Sequence, residues 1–209
     1  DSISNLHASK LVGSVRTYIH TGERGLTMDA WFEGLRAGHA FVTTGPLVEF
    51  TIDGAIPGET VNLPEQGGTV ELRAWVRSIA PIERLILVWN GDVIEEVLLE
   101  GNRHEAEMSR TLSVSGSGWY HLRVEGRPDE RFPLDADFAQ AFTNPVWITV
   151  GDHPVRSQES AAYSLRWIDK LQGMAEAWPG WRSVRERLHV FEQFEQARQV
   201  YRGFTEESR

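Results

Sequence analysis

Apolar positions along this chain recur first with a helical period, then for roughly a hundred residues with a period of two, then helically again. Thr27 to Gly38 carries the clearest helix signal. Thr27 is a natural N-cap, Asp29 falls in the first turn, Met28, Trp31, Phe32 and Leu35 recur at helical spacing, and Gly38 stops the run. Val15 to His20 reads as a short strand before this helix and His39 to Thr43 as another after it. A strand, loop, helix, strand order suits the edge of an α/β unit and does not make a free-standing domain.

From Pro46 to Val150 the alternation is that of an all-β sandwich, punctuated by Gly, Pro, Asn and Asp, with about seven strands expected and no helix. Thr69 to Arg77 sets Val70, Leu72, Ala74 and Val76 against Glu71, Arg73, Trp75 and Arg77, so one face is apolar and the register is pinned. Ile82 to Trp89 and Asp92 to Leu99 flank Asn90-Gly91, a pair that tolerates positive φ and suits a two-residue hairpin turn. Gly118 to Glu125 sets Tyr120, Leu122 and Val124 against Trp119, His121 and Arg123, and Pro145 to Val150 adds a last short strand. After Gly151 one helix follows, with Ser157 or Ser160 as N-cap and Tyr163, Leu165, Trp167, Ile168 and Leu171 as its apolar surface. Pro179-Gly180 breaks it. A second helix, from about Ser183 to Tyr201, lines up Val184, Leu188, Phe191 and Phe194, and the two are expected to form a helical hairpin. The fold class is therefore α+β, divided at 1–45, 46–150 and 151–209.

Composition narrows the function more than the fold. The net charge of −9 and pI near 5.3 argue against a nucleic-acid surface, because phosphate binding needs clustered Lys and Arg and the arginines here are scattered among acids. No run of about 20 apolar residues could cross a bilayer and no signal segment opens the chain, so it reads as soluble with its compartment open. With no cysteine, disulfides and thiolate metal sites are excluded. The opening DSISNLHASK has neither apolar period nor cap, and reads as entered partway through a domain, a fragment or processed product.

No HxH, HExxH, P-loop or GxSxG motif occurs, and the histidines are dispersed. His104, His121, His153 and His189 read as surface or packing residues, and His39 as a cap on the preceding helix. Asp1 and His7 place a hard oxygen ligand and an imidazole in one stretch, which suits a divalent metal or a solvated loop alike. Thr43 and Thr44 end a strand before Gly45-Pro46 with two hydroxyls, able to orient a ligand or to close a turn. Trp75, Trp119 and Trp147 fall on the outer faces, where other elements cover them or where they stack on a sugar-like ligand.

Several ordered segments carry a family resemblance. RTYIHTGERGLTMDAWFEGLRAGHAFVTTGPLVEFTIDG, PIERLILVWNGDVI, SGWYHLRVEG, AFTNPVWITVGDHPVRS and YSLRWIDKL resemble the carboxy-terminal region of the CehA/McbA metallohydrolases of the PHP superfamily, over residues 1–172. The resemblance implies an upstream barrel whose histidine and acidic ligands activate water toward ester, amide, carbamate or phosphate bonds. Residues 1–45 would then be the closing edge of that barrel, a PHP-type remnant, and 46–150 an accessory sandwich. It places Asp1 at a late metal ligand, while His7 falls outside the family's Asp-x-His spacing. Arg16, Tyr18, Thr43 and Thr44 come near the barrel mouth as substrate-binding positions, with Thr44 where the family has asparagine in Thr-Asn-Gly-Pro. Zinc, manganese or iron is implied in the parent enzyme. This chain alone is expected to hold no metal tightly and to hydrolyse nothing, because a catalytic zinc wants about three protein ligands. The expected partners are the upstream catalytic domain, a small-molecule substrate once the site is complete, and a second copy through the C-terminal helices; nucleic acid and membrane are not expected. The alternative is a sandwich that binds carbohydrate or protein without catalysis.

Overall fold

A computed structural model describes residues 13–101, 103–127 and 139–206. It contains eleven strands and three α-helices among them, in two compact units, Asp1–Val155 and Arg156–Arg209. The first unit is a two-layer sandwich. Strands β3 (Leu47–Ile52), β5 (Gly68–Arg77) and β8 (Glu105–Val114) form a small antiparallel sheet in the order β3-β5-β8. The larger sheet has eight strands built around β9 (Gly118–Gly126).

On one side of β9 lie β6 (Ile82–Trp89) and then β7 (Asp92–Leu98). The Asn90-Gly91 turn between these two has φ of 51° and 99°, the left-handed pair such a hairpin requires. On the other side β10 (Gln140–Thr143) pairs with the second half of β9 and β11 (Val146–Val150) with the first half. Asn144-Pro145 separates them, and the proline has no N–H to continue the ladder. At the gap the buried Leu122 N–H donates to Thr143 Oγ1 at 3.0 Å instead. The short β4 (Thr60–Leu63) adds in parallel to β11.

Strands β1 (Arg16–Ile19) and β2 (Ala40–Thr43) complete this sheet. β2 pairs antiparallel with β10, and β1 antiparallel with β2. Residues 16–43 are thus hydrogen-bonded into the sandwich, and the boundary expected at 45 is not a break in the fold. A parallel crossover, as a barrel's βαβ unit requires, is absent from this segment. Helix α1 (Met28–Ala37) fills the connection between β1 and β2. Thr27 caps it by accepting the Ala30 N–H at 3.2 Å, and Gly38 ends it at φ 78°, as its sequence dictates.

The two sheets bury one contiguous core. Phe50, Ile52, Leu72 and Val76 of the small sheet meet Leu85, Leu87, Leu122, Val124 and Ile148 of the large one, all nearly sealed from water. The alternation read for β5 and β9 is the one observed. Nine strands lie between 47 and 150, more than the seven expected. β8 breaks its own pattern with Arg110 among the inward positions, where its guanidinium grips the Glu95 carboxylate at 2.5–3.0 Å.

The second unit is a helical hairpin of α2 (Gln158–Glu176) and α3 (Val184–Glu206). It begins at Arg156, and α3 extends past the expected Tyr201. Ser157 Oγ accepts the Ser160 N–H at 3.1 Å and Ser183 Oγ the Glu186 N–H at 3.0 Å, so each helix opens on a serine cap. Arg198 ties the pair together, donating to Asp169 at 2.9 Å and Gln172 at 2.6 Å. Neither described helix is long and apolar enough to cross a membrane.

Candidate functional site

The antiparallel pairing of β1 with β2 brings His20 and His39 together at one end of the sheet, where the His20 N–H donates to the His39 carbonyl at 2.8 Å. Two clefts share this end. One, about 300 Å³, lies beside α1 and is lined by His20, Arg24, Glu33, His39, Ile56 and Glu59. The other, about 460 Å³, runs along the strands beside Tyr18, Phe41, Phe50 and Ile56, with both histidines again in its wall. Arg24 is paired with Glu33. His39 Nε2 stands 4.0 Å from Glu59 Oε1. The polar cleft therefore holds two imidazoles, one ion pair and a carboxylate.

Close backbone approach shapes this end. Gly34 faces β1 so closely that a side chain there would begin 2.6 Å from Ile19 Cγ2 and 2.7 Å from the His20 carbonyl. The helix is thus held by its small residues, Ala30 and Gly34, which are its buried positions. Its large apolar residues point elsewhere. Met28, Phe32 and Leu35 are 69%, 41% and 42% exposed, and Leu26 just before the helix is 89% exposed, with Trp31 half-buried edge-on to Phe32 at 5.2 Å. The helical stripe read from the sequence exists, and it faces outward.

The expected substrate-binding residues fall on the same β1–β2 pair. Tyr18 stacks on Phe41 at 5.1 Å between ring centres and is partly exposed in the apolar cleft. Arg16 donates to the Thr44 carbonyl at 3.3 Å. Arg16 Nε and Ser14 Oγ are buried and find no hydrogen-bond partner among the described residues. Thr43 and Thr44 serve the backbone. Thr43 Oγ1 donates to the Pro46 carbonyl at 2.6 Å and accepts the Gly45 N–H at 2.9 Å, while Thr44 Oγ1 accepts the Gln140 N–H at 2.9 Å. These bonds close the turn after β2 and pin β10 beside it. His39 ends α1 through its backbone N–H, which donates to the Gly34 carbonyl at 2.9 Å, leaving its ring for the cleft.

Asp1 and His7, the expected metal ligands, lie outside the described residues. Among the described residues no three His, Cys, Asp or Glu side chains converge where a metal ion could be held. Three other histidines have local surroundings of their own. His104 Nδ1 sits 3.0 Å from the Ser78 carbonyl, and His153 pairs with Glu65 at 2.7 Å. His121 is half-buried beside Trp119, and burial, aided by the Arg123 charge, lowers its pKa. Trp119 and Trp147 are cross-strand neighbours on the outer face of the large sheet, Trp119 half-buried and Trp147 37% exposed. Trp75 stands between Glu49 and Glu107 on the outer face of the small sheet.

The pairing of His20 with His39 and Glu59 carries no sequence signal, because it depends on which strands meet. Comparison with family models finds no match, and no curated protein matches either. Among solved structures, the CARDB domain of a Pyrococcus furiosus protein matches at 14% identity and a TM-score of 0.33, covering 50% of this chain and 95% of that domain, too loosely to carry an argument.

Proposed function

We propose that this chain is the accessory portion of a metal-dependent hydrolase, built to dock on a catalytic domain and not to carry out hydrolysis alone. The observation behind this reading is the inverted helix α1, which buries Ala30 and Gly34 and offers Met28, Phe32 and Leu35 to the outside. A row of large apolar side chains beside a sheet edge loses free energy in water and regains it against another surface. The resemblance to the CehA/McbA metallohydrolases supplies the partner: a barrel whose ligands hold the zinc, manganese or iron and act on an ester, amide, carbamate or phosphate.

Co-expression with a histidine-bearing catalytic barrel encoded ahead of Asp1 tests the reading. The wild-type chain should co-purify with that barrel, and Phe32→Asp with Leu35→Asp should release it while leaving circular dichroism unchanged. The chain alone, given zinc or manganese, should turn over no ester; metal-dependent hydrolysis by the isolated chain would overturn the proposal.

A second reading, a carbohydrate-binding sandwich, is favoured by the Trp119–Trp147 pair, since neighbouring indoles on an open face suit a sugar ring. Glycan-array binding lost in Trp147→Ala would support it.

A further inference from the structure

Helix α2 is apolar on two faces, and α3 uses only one of them. Ala161 and Ile168 are buried, Leu165 and Ala175 half-buried, and Arg198 of α3 reaches the neighbouring Asp169 and Gln172. The other face carries Tyr163, Trp167, Leu171 and Met174, followed just past the helix end by Trp178, each between 42% and 61% exposed. At about 100° per residue the four helical positions share an arc of about 80°. Tyr163 and Trp167 touch edge-on at 6.3 Å, and Lys170 Nζ lies 4.7 Å over the Trp167 ring. The cation rests on the rim of the stripe and does not interrupt it.

The order of these residues selects the occupant. Tyr163 and Trp178 stand equally far from the midpoint between Lys170 and Leu171, and so do Trp167 and Met174. A stripe symmetric about its own centre complements itself when a second copy is turned end for end, which is the requirement of a twofold interface. We propose that a second copy of the chain docks here, α2 against α2 in antiparallel, with the twofold axis passing between Lys170 and Leu171. Tyr163 then meets the partner's Trp178, Trp167 meets the partner's Met174, and the two Leu171 side chains pack beside the axis. The opposed helix dipoles also favour this direction over a parallel pairing. The exposed portions of five such side chains amount to on the order of 500 Å² per copy, about 1,000 Å² for the pair, which reaches the lower limit of a specific interface.

The absence of cysteine from the sequence makes the register testable by cross-linking in the full chain. Under mild oxidation Leu171→Cys should form a disulfide dimer, whereas Tyr163→Cys alone should not, because its mates stand at opposite ends of the interface. Mixing Tyr163→Cys with Trp178→Cys should restore the cross-link. In sedimentation equilibrium the wild type should dimerise and Leu171→Lys, which gathers four lysines around the axis, should raise the dissociation constant at least tenfold. A wild-type chain that stays monomeric, or Tyr163→Cys cross-linking as readily as Leu171→Cys, would overturn the proposal.

Discussion

The sandwich strands and the helices of this chain treat their apolar faces in opposite ways. In β5 and β9 the apolar alternation points inward, and Leu72, Leu122 and Val124 are sealed by the opposing sheet. In α1 and α2 the largest apolar residues point outward, while small or medium residues make the intramolecular contact. The difference lies in what each element is given to face. Two sheets supply each other with an apolar layer, so period-two patterning is consumed inside the fold. A ten-residue helix pressed against a sheet edge through Ala30 and Gly34 gains close approach from its lack of side chain, and its stripe is left exposed. Apolar periodicity therefore marks a buried face in β5 and β9, whereas in α1 and α2 much of the apolar stripe is exposed.

The strongest way to break this comparison is to truncate one leucine of each kind. Leu122→Ala, at the centre of the core, should cost about 3 kcal/mol, and Leu35→Ala on α1 should cost less than about 0.5 kcal/mol, both read from urea unfolding. Equal losses would mean that α1 is buried after all. Next in size, Gly34→Val drives a branched side chain into Ile19 and the His20 carbonyl. It should cost about 2 kcal/mol and strip hydrogen-exchange protection from α1 while the core strands keep theirs.

A smaller effect sharpens the division between structural and functional residues. Thr43→Val leaves the Gly45 N–H and the Pro46 carbonyl without their hydroxyl partner, and should cost about 1.5 kcal/mol in thermal or chemical unfolding. Full stability in that variant would mean that the Thr43 hydroxyl is not needed to close the turn. The smallest effect concerns pH. His121 has a folded pKa below its ordinary 6.5, because burial, then Arg123, disfavours the charged ring. The unfolded chain thus binds the proton more readily, so stability is full above the ordinary value and declines as the pH falls from there through the lowered folded one. His121→Gln should flatten that decline in unfolding midpoints measured between pH 5 and 8.

Much of the fold was legible because local rules decide it. Thr27 and Gly38 bound α1, Asn90-Gly91 supplies its turn, and Ser157 starts α2, each by satisfying backbone groups within a few residues. Strands β3, β4, β8 and β10 were not separately legible: β4 and β10 are four residues long and lack the flanking helix that delimits β1 and β2, and Arg110 interrupts the inner face of β8. The candidate site was legible only in part: Tyr18 does line a cleft, but Thr43 and Thr44 turn their hydroxyls to the backbone.

By itself, then, the sequence determined the two ends of α1, the start of α2, the Asn90-Gly91 hairpin and the apolar faces of β5 and β9, since period, caps and turn dihedrals act over a few residues. Tertiary structure alone decided that β2 joins β10, that His20, His39 and Glu59 share one end, and that α1 turns its glycine inward. Those outcomes depend on which distant backbone edge is free to bond and how closely two surfaces can approach, and neither quantity is written in any short stretch of residues.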